Sequence, residues 1–246
     1  MLDIAAESLL NNFERIRIIN LTDRTDRRRD TEIQLRRIGV RVDGDRVAFH
    51  AAIRPSCNGG FPSVGAYGCF LSHREVLRDA VDQGVSSVLI FEDDLNFSTD
   101  YGSKIPACMT ALSHKDWSLF YGGHGDISYP SDVKEAVFRV DPSDWVLGAH
   151  FIALNGVALK QISAYLDHCL EWIARDFATA PHGIDSAYGR FRREYPELLA
   201  FAASPVLGYQ RSSRSDISTK ALEKNVVGRV FYKLARDVRR SLSPNL

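Results

Sequence analysis

The chain reads as an α/β domain built on a mixed, mostly parallel central sheet flanked by helices. Three observations predict this class. Short apolar runs alternate with amphipathic stretches from residue 15 to residue 194, the order that yields strands covered by helices. Residues 87–91 form an unbroken apolar run with β-branched side chains, as expected of a central strand buried on both faces. Between residues 65 and 84, Ala66, Cys69, Phe70, Leu77, Ala80 and Val81 recur at helical spacing, with His73 on or near the same stripe.

The elements follow in order. Residues 15–21 (RIRIINL) make a short buried strand that runs into Thr22-Asp23-Arg24-Thr25-Asp26, a loop rich in helix-capping residues. Residues 27–38 continue as a helix with Ile33, Leu35 and Ile38 as apolar contacts, and Gly39 ends it. A second strand is expected over 47–53 and a loop over 54–64, where two prolines and two glycines exclude regular structure. After the 65–84 helix and the 87–91 strand come a helix around 104–112, strands at 117–121, 136–140 and 146–154, and helices over 156–175 and 183–194.

Residues 1–219 are read as one domain and residues 220–246 as an amphipathic tail. In the tail Val226, Val227, Val230, Phe231, Leu234 and Val238 form an apolar face, while Lys224, Arg229, Lys233, Arg236, Arg239 and Arg240 carry positive charge. Two readings of it stay open: docking on the core or a second subunit, or attachment to an anionic cytoplasmic membrane surface.

Lysine plus arginine equal aspartate plus glutamate at 31 each, so no net charge attracts nucleic acid, and nucleic acid is not an expected partner. Cys57, Cys69, Cys108 and Cys169 are scattered without a CxxC pair, which suggests neither a zinc site nor a disulfide framework and fits a reducing cytosol. No run approaches the roughly 18 apolar residues of a membrane span. Residues 1–13 carry Asp3 and Glu7 and lack the basic-then-apolar pattern of a secretion signal. The expected location is the cytoplasm, with any membrane contact peripheral.

The chemistry concentrates where the buried 87–91 run ends in Glu92-Asp93-Asp94. Three adjacent carboxylates repel one another, and a divalent ion is the economical compensation. In extended chain Glu92 and Asp94 share a side while Asp93 points elsewhere. Oxygen ligands of this kind suit Mg²⁺ or Mn²⁺, which keep positions open for phosphate oxygens. The same acids could instead cap a turn or pair with arginines. Asn20 ends the first strand, and Arg24, Arg27 and Arg28 follow, where guanidinium groups and helix N-terminal amides can hold a diphosphate. Gly65 to His73 combines small residues, which permit close backbone approach, with the Ser72-His73 pair. Helix packing with a satisfied core histidine is the competing reading of that stretch.

Ile19-Asn20-Leu21 with Asp26-Arg27, the segment Gly-Ala-Tyr-Gly-Cys-Phe-Leu-Ser-His from Gly65 to His73, and the apolar strand into Glu92-Asp93-Asp94 together resemble glycosyltransferase family 25. These are the lipooligosaccharide (lipopolysaccharide) biosynthesis glycosyltransferases related to collagen galactosyltransferase domains. Gly183-Ile184-Asp185, Pro205, Gln210 and Ser215-Asp216-Ile217 extend the likeness over roughly residues 15–217. The chain departs from the family pattern in having Thr-Asp-Arg-Thr after Asn20-Leu21, where Asp-Arg-Arg-Pro is more usual, so the place of Arg24 is open.

The resemblance implies a GT-A-like fold, a UDP-sugar donor, with galactose the expected sugar, and transfer with inversion to a saccharide or lipid-linked saccharide acceptor. In that scheme Glu92 and Asp94 hold the metal, Mn²⁺ or Mg²⁺. Asn20, Arg24, Arg27, Gly65, Ser72, His73, Asp93 and Asp216 belong to the donor site. An inverting transfer needs a base for the acceptor hydroxyl, normally a carboxylate, and Asp185 at a helix start after His182-Gly183 is the leading candidate. His150 is a candidate for lining the cleft. Two rival readings are a metal-dependent phosphoester or nucleotide-sugar hydrolase, and a non-catalytic homologue that only binds a nucleotide or partner.

Overall fold

The computed structural model describes residues 4–125, 127 and 135–211. Asp216 and the 220–246 tail lie outside the described residues, as does the proposed boundary at residue 219. The elements are α1 (Ile4–Asn12), β1 (Arg15–Asn20), α2 (Thr25–Arg37), β2 (Val47–Ala51), α3 (Val64–Asp82), β3 (Ser87–Glu92), β4 (Leu95–Phe97), α4 (Tyr101–Ser113), β5 (Leu119–Tyr121), β6 (Val137–Val140), β7 (Phe151–Asn155), α5 (Gly156–Arg175), α6 (Ile184–Glu194), β8 (Ala200–Ala203) and β9 (Gly208–Gln210).

Seven strands form one sheet in the order β2-β1-β3-β7-β5-β8-β6, and β4 and β9 form a separate antiparallel ribbon. The pairs β2/β1, β1/β3 and β5/β8 are parallel, while β7 runs antiparallel to both β3 and β5, and β6 to β8. Five of the seven strands therefore point one way, which bears out the α/β class with a mixed, mostly parallel sheet.

β3 shows why this sheet is stable. Its residues alternate between two cores: Val88 and Ile90 pack with α3, α5 and α6 residues such as Leu77, Ile162 and Tyr188, while Leu89 and Phe91 pack with Leu9, Leu35 and Ile105 of α1, α2 and α4. All four are fully buried. At about 1.5–3 kcal/mol per buried aliphatic or aromatic side chain, a strand lined on both faces anchors both layers at once.

Several expectations shift. The strand expected over 146–154 begins only at Phe151, because Gly148 adopts a φ of +106°, which turns residues 146–150 out of the sheet. Helix α3 starts at Val64, where the Ser63 hydroxyl caps it by accepting from the Ala66 amide at 3.0 Å. Helix α1 and the short strands β4, β8 and β9 were not expected from the sequence. Strands of three or four residues carry too few alternations to register as a period.

The parallel strands bring chemistry to one edge. Asn20, Ala51 and Glu92 end β1, β2 and β3 side by side, and the antiparallel β7 begins there, opposite Phe91. The β4/β9 ribbon follows directly from the acidic turn, with Leu95 opposite Gln210. Ligands of open α/β sheets bind beyond such carboxyl ends.

Candidate active site

β3 stops at Glu92 and the chain turns at Asp93-Asp94, so the strict alternation expected of the three acids does not hold. Asp93 and Asp94 instead share a neighbour, Arg27, whose Nη1 lies 2.7 Å from Asp93 Oδ1 and 3.5 Å from Asp94 Oδ2. Glu92 turns toward α3.

Asp93 is the most heavily bonded of the three. Its Oδ2 accepts from Asn20 Nδ2 at 2.8 Å and its Oδ1 from Arg27. Its carbonyl accepts from the Thr31 hydroxyl at 2.9 Å and from Arg211 Nη2 at 2.7 Å. It thus ties together β1, α2, β3 and the end of β9. The cationic compensation expected of a metal is supplied here, for Asp93, by a half-buried arginine. Removing one member of a fully buried pair typically costs about 3–5 kcal/mol, because the other is left buried and charged.

Asp94 is different. Only 5% exposed, it accepts at Oδ2 from Gln210 Nε2 at 3.2 Å, while Oδ1 is buried without a partner among the described residues. Burial, then the nearby Glu92 charge, push its carboxyl up to about 6, against the pull of Arg27. An ionised Asp94 is therefore under-compensated.

Glu92 faces a helix. Cys69 and His73 lie four residues apart on α3 and so share one face. The Cys69 thiol donates to Glu92 Oε1 at 3.5 Å and His73 Nε2 meets the same oxygen at 3.2 Å. His73 Nδ1 lies 3.2 Å from the Tyr188 hydroxyl of α6. Burial alone would raise the Glu92 carboxyl, but the His73 hydrogen bond and the His73 and His150 charges outweigh it and hold it below its ordinary value. Burial pushes the Cys69 thiol well up. The ligand atoms of Cys69, His73 and Glu92 lie within 4.8 Å of one another, close enough to hold a metal ion. Reading the cysteines for CxxC pairs missed this grouping, because its ligands come from a helical i, i+4 pair and a strand end.

The next face of α3 is structural. A Cβ on Gly68 would stand 2.4 Å from the Ile53 carbonyl, so only glycine lets the helix approach the chain leaving β2. Ser72, fully buried, donates to the Gly68 carbonyl at 2.6 Å and accepts from the Ile53 amide at 2.9 Å. Its side chain faces inward, and it positions the 53–63 loop instead of lining the cleft. Gly65 sits in the first turn of α3, partly exposed. Arg24 turns to Asp26, with Nε and Nη2 donating to the carboxylate at 3.0 and 2.9 Å, and its carbonyl accepts from Asn20 Nδ2 at 3.3 Å.

Asp185 lies in the first turn of α6. The turn at Gly148 directs its amide to Asp185 Oδ1 at 3.1 Å. Burial, and next the Glu92 charge, raise the Asp185 carboxyl to about 6, although the side chain stays partly open to solvent. His150 lies between: its carbonyl accepts from the Glu92 amide at 3.0 Å, and burial lowers its imidazole. Neither of its ring nitrogens makes a hydrogen bond of normal geometry, although the Gly208 main chain lies beside it. Asn20, Arg27, Glu92, Asp93, Asp94, His73 and Asp185 thus gather at one edge. Gln210 and Arg211 join them at the end of β9; Arg211 was not foreseen in the sequence as a residue of this edge.

Comparison with known proteins shows the family. Residues 13–140 match the family model for glycosyltransferase family 25 (LPS biosynthesis protein). Procollagen galactosyltransferase 1 of Danio rerio is 28% identical over 224 residues, covering 80% of this chain and 36% of that protein. Procollagen galactosyltransferase 2 of Homo sapiens is 28% identical over 231 residues, covering 80% and 35%. A third relative, inactive glycosyltransferase 25 family member 3 of Mus musculus, is 28% identical over 152 residues, covering 58% and 25%. The chain spans about a third of the length of the first two relatives. Among solved structures, a glycosyltransferase involved in the glycosylation of the major capsid of PBCV-1 aligns with a TM-score of 0.48 at 11% identity, over 82% of this chain and 94% of that one. With the family model covering more than half of its residues, from the first strand through the acidic turn to β6, the chain belongs to glycosyltransferase family 25.

Proposed function

We propose that this protein transfers a sugar, galactose by the resemblance of its relatives, from a UDP-sugar to a saccharide acceptor of a lipooligosaccharide or other surface glycan, with inversion at the anomeric carbon. The observation that carries the reading is the contrast between two buried aspartates at one sheet edge. Asp93 is saturated by Asn20 and Arg27, while its neighbour Asp94 keeps an unpartnered, buried Oδ1 and a raised carboxyl. A protein gains nothing from such an oxygen unless something cationic meets it.

Asp94, through its unpartnered Oδ1 and with the Glu92 charge nearby, would suit a hard cation such as Mn²⁺ or Mg²⁺, which would neutralise the departing diphosphate. The Cys69-His73-Glu92 group fits less well, since its donors already satisfy one another. Arg27, Asn20 and the N-terminal amides of α2 orient the nucleotide diphosphate. Asp185 takes the proton of the acceptor hydroxyl. A carboxyl raised to about 6 is largely ionised at neutral pH yet basic enough to help.

The described residues include no helix long and apolar enough to cross a membrane. A lipid-linked acceptor would be met from the cytoplasmic side through the basic apolar tail of residues 220–246, and deleting it should abolish binding to anionic liposomes.

The decisive test is a set of UDP-sugars screened for heat stabilisation with and without Mn²⁺, followed by product analysis. A metal-dependent shift with one UDP-sugar and a glycoside of opposite anomeric configuration are expected. Free sugar at full rate without acceptor would instead make the protein a hydrolase. Donor binding without turnover on any acceptor would align it with the relative named inactive.

A further inference from the structure

The turn between α5 and α6 holds a feature that the donor chemistry leaves unused. Phe177 is 59% exposed, although the turn that carries it is firmly built. Asp176 accepts from the Ala178 amide at 3.1 Å and from the Thr179 hydroxyl, which in turn accepts from Trp172 Nε1 at 3.0 Å. Ala180 and Pro181 are buried beneath it. The phenyl ring is therefore presented to solvent by a fixed scaffold. It packs on His182, ring centroids 4.3 Å apart at 41°, and His182 Nδ1 is buried with no hydrogen-bond partner among the described residues. Gly60 also lies near the ring: a Cβ there would stand 3.7 Å from Phe177 Cδ2 and 2.8 Å from Ile173 Cγ2.

An exposed phenyl ring packed on an imidazole matches the two-sided chemistry of a pyranose, whose C–H face is apolar and whose rim carries hydroxyls. Position supplies the second argument. His182 stands three residues before Asp185, a chain distance of at most about 10 Å, the span of one or two sugar rings. Resting on the assignment of Asp185 as base, we propose that Phe177 and His182 form the acceptor subsite. Phe177 stacks on a pyranose C–H face, and His182 bonds a hydroxyl of the same or the adjoining ring. Aromatic side chains suit such sites because they give a large contact at little cost in conformational entropy.

The test uses methyl β-D-galactopyranoside and methyl β-D-glucopyranoside as probes, in saturation-transfer NMR on the whole chain with UDP and Mn²⁺ present. Saturation should concentrate on the ring C–H protons of at least one glycoside. Phe177→Ala should weaken its binding about fivefold or more, Phe177→Trp should retain it, and His182→Ala should weaken it less. UDP-induced heat stabilisation reports on folding and the donor site in each variant. Glycoside binding unchanged in Phe177→Ala overturns the subsite, as does wild-type protein that binds UDP but neither glycoside. Failure of UDP itself to bind overturns the donor reading, and the subsite with it.

Discussion

The two flanks of the sheet edge are built on opposite plans. On the β1-α2 side Asn20, Arg27, Thr31 and Arg211 converge on Asp93, so that both carboxylate oxygens and the carbonyl are engaged. On the β7-α6 side the polar groups are left unspent. Asp185 is raised to about 6 with only main-chain amides to hold it, and both ring nitrogens of His150 and Nδ1 of His182 lack hydrogen bonds of normal geometry. Asp94 sits between, bonded at one oxygen and open at the other. Saturated groups make a rigid scaffold, whereas unsatisfied buried groups are where a ligand has most to contribute.

The largest expected effects fall on the unspent groups. Asp185→Asn should lower kcat by 10²–10⁴-fold, the usual loss on removing a general base, while UDP-induced stabilisation stays. Asp94→Asn should lower transfer comparably and also remove the divalent-ion dependence of UDP binding. Equal losses of UDP binding in both variants would dissolve the distinction between flanks.

Next comes the scaffold. Asp93→Ala should cost about 2–4 kcal/mol in denaturant unfolding, since it leaves the half-buried Arg27 beside Asp94 alone and the Asn20 amide without its acceptor. Ser72→Ala, which deprives the half-buried Ile53 amide of its acceptor, should cost about 1–2 kcal/mol. Normal stability in Asp93→Ala would show that its bonds are incidental.

Asp94 also separates stability from function. The folded state holds its proton more tightly than the unfolded chain, so the carboxyl adds stability below its unfolded value near 3.8. That contribution is lost as the pH rises through about 6. Without divalent ions, Asp94→Asn should therefore raise stability at pH 7 by on the order of 1–3 kcal/mol, a gain that disappears at pH 4. Thermal melts at the two pH values read it directly.

The pH profile gives a finer reading. If Asp185 is the base, kcat/KM should fall about tenfold per pH unit below about 6 and level off above it, and a profile flat down to pH 5 would remove Asp185 from that role. The smallest effect is expected at Arg24, whose guanidinium is paired with the exposed Asp26. Arg24→Ala should change the donor KM by less than about threefold.

The sequence carried the β1-α2 flank almost whole. Residues 15–21 and 87–91 were recognisable as buried strands because short runs rich in β-branched residues have few other uses, and their polar ends marked Asn20 and Glu92-Asp93-Asp94 as edge groups. It could not tell which acid does what. Alternation put Glu92 with Asp94, but the turn after Glu92 sent Glu92 to His73 and left Asp93 and Asp94 to share Arg27. Gly65 to His73 was visible as a motif; that Gly68 and Ser72 serve packing while Cys69 and His73 face Glu92 became clear only from how α3 lies on the sheet.

By itself, then, the amino-acid order determined the layers, the family and the acidic edge, because periodicity and burial are local properties written along the chain. Only the tertiary structure decided that Asp93 is a tether, that Asp94 keeps an open oxygen, and that Asp185 stands within reach of the Glu92 charge. Those outcomes depend on hydrogen bonds between residues 37 to 118 positions apart and on burial created by helices from elsewhere in the chain. No local pattern encodes them, since a carboxyl's state is set by what is packed around it.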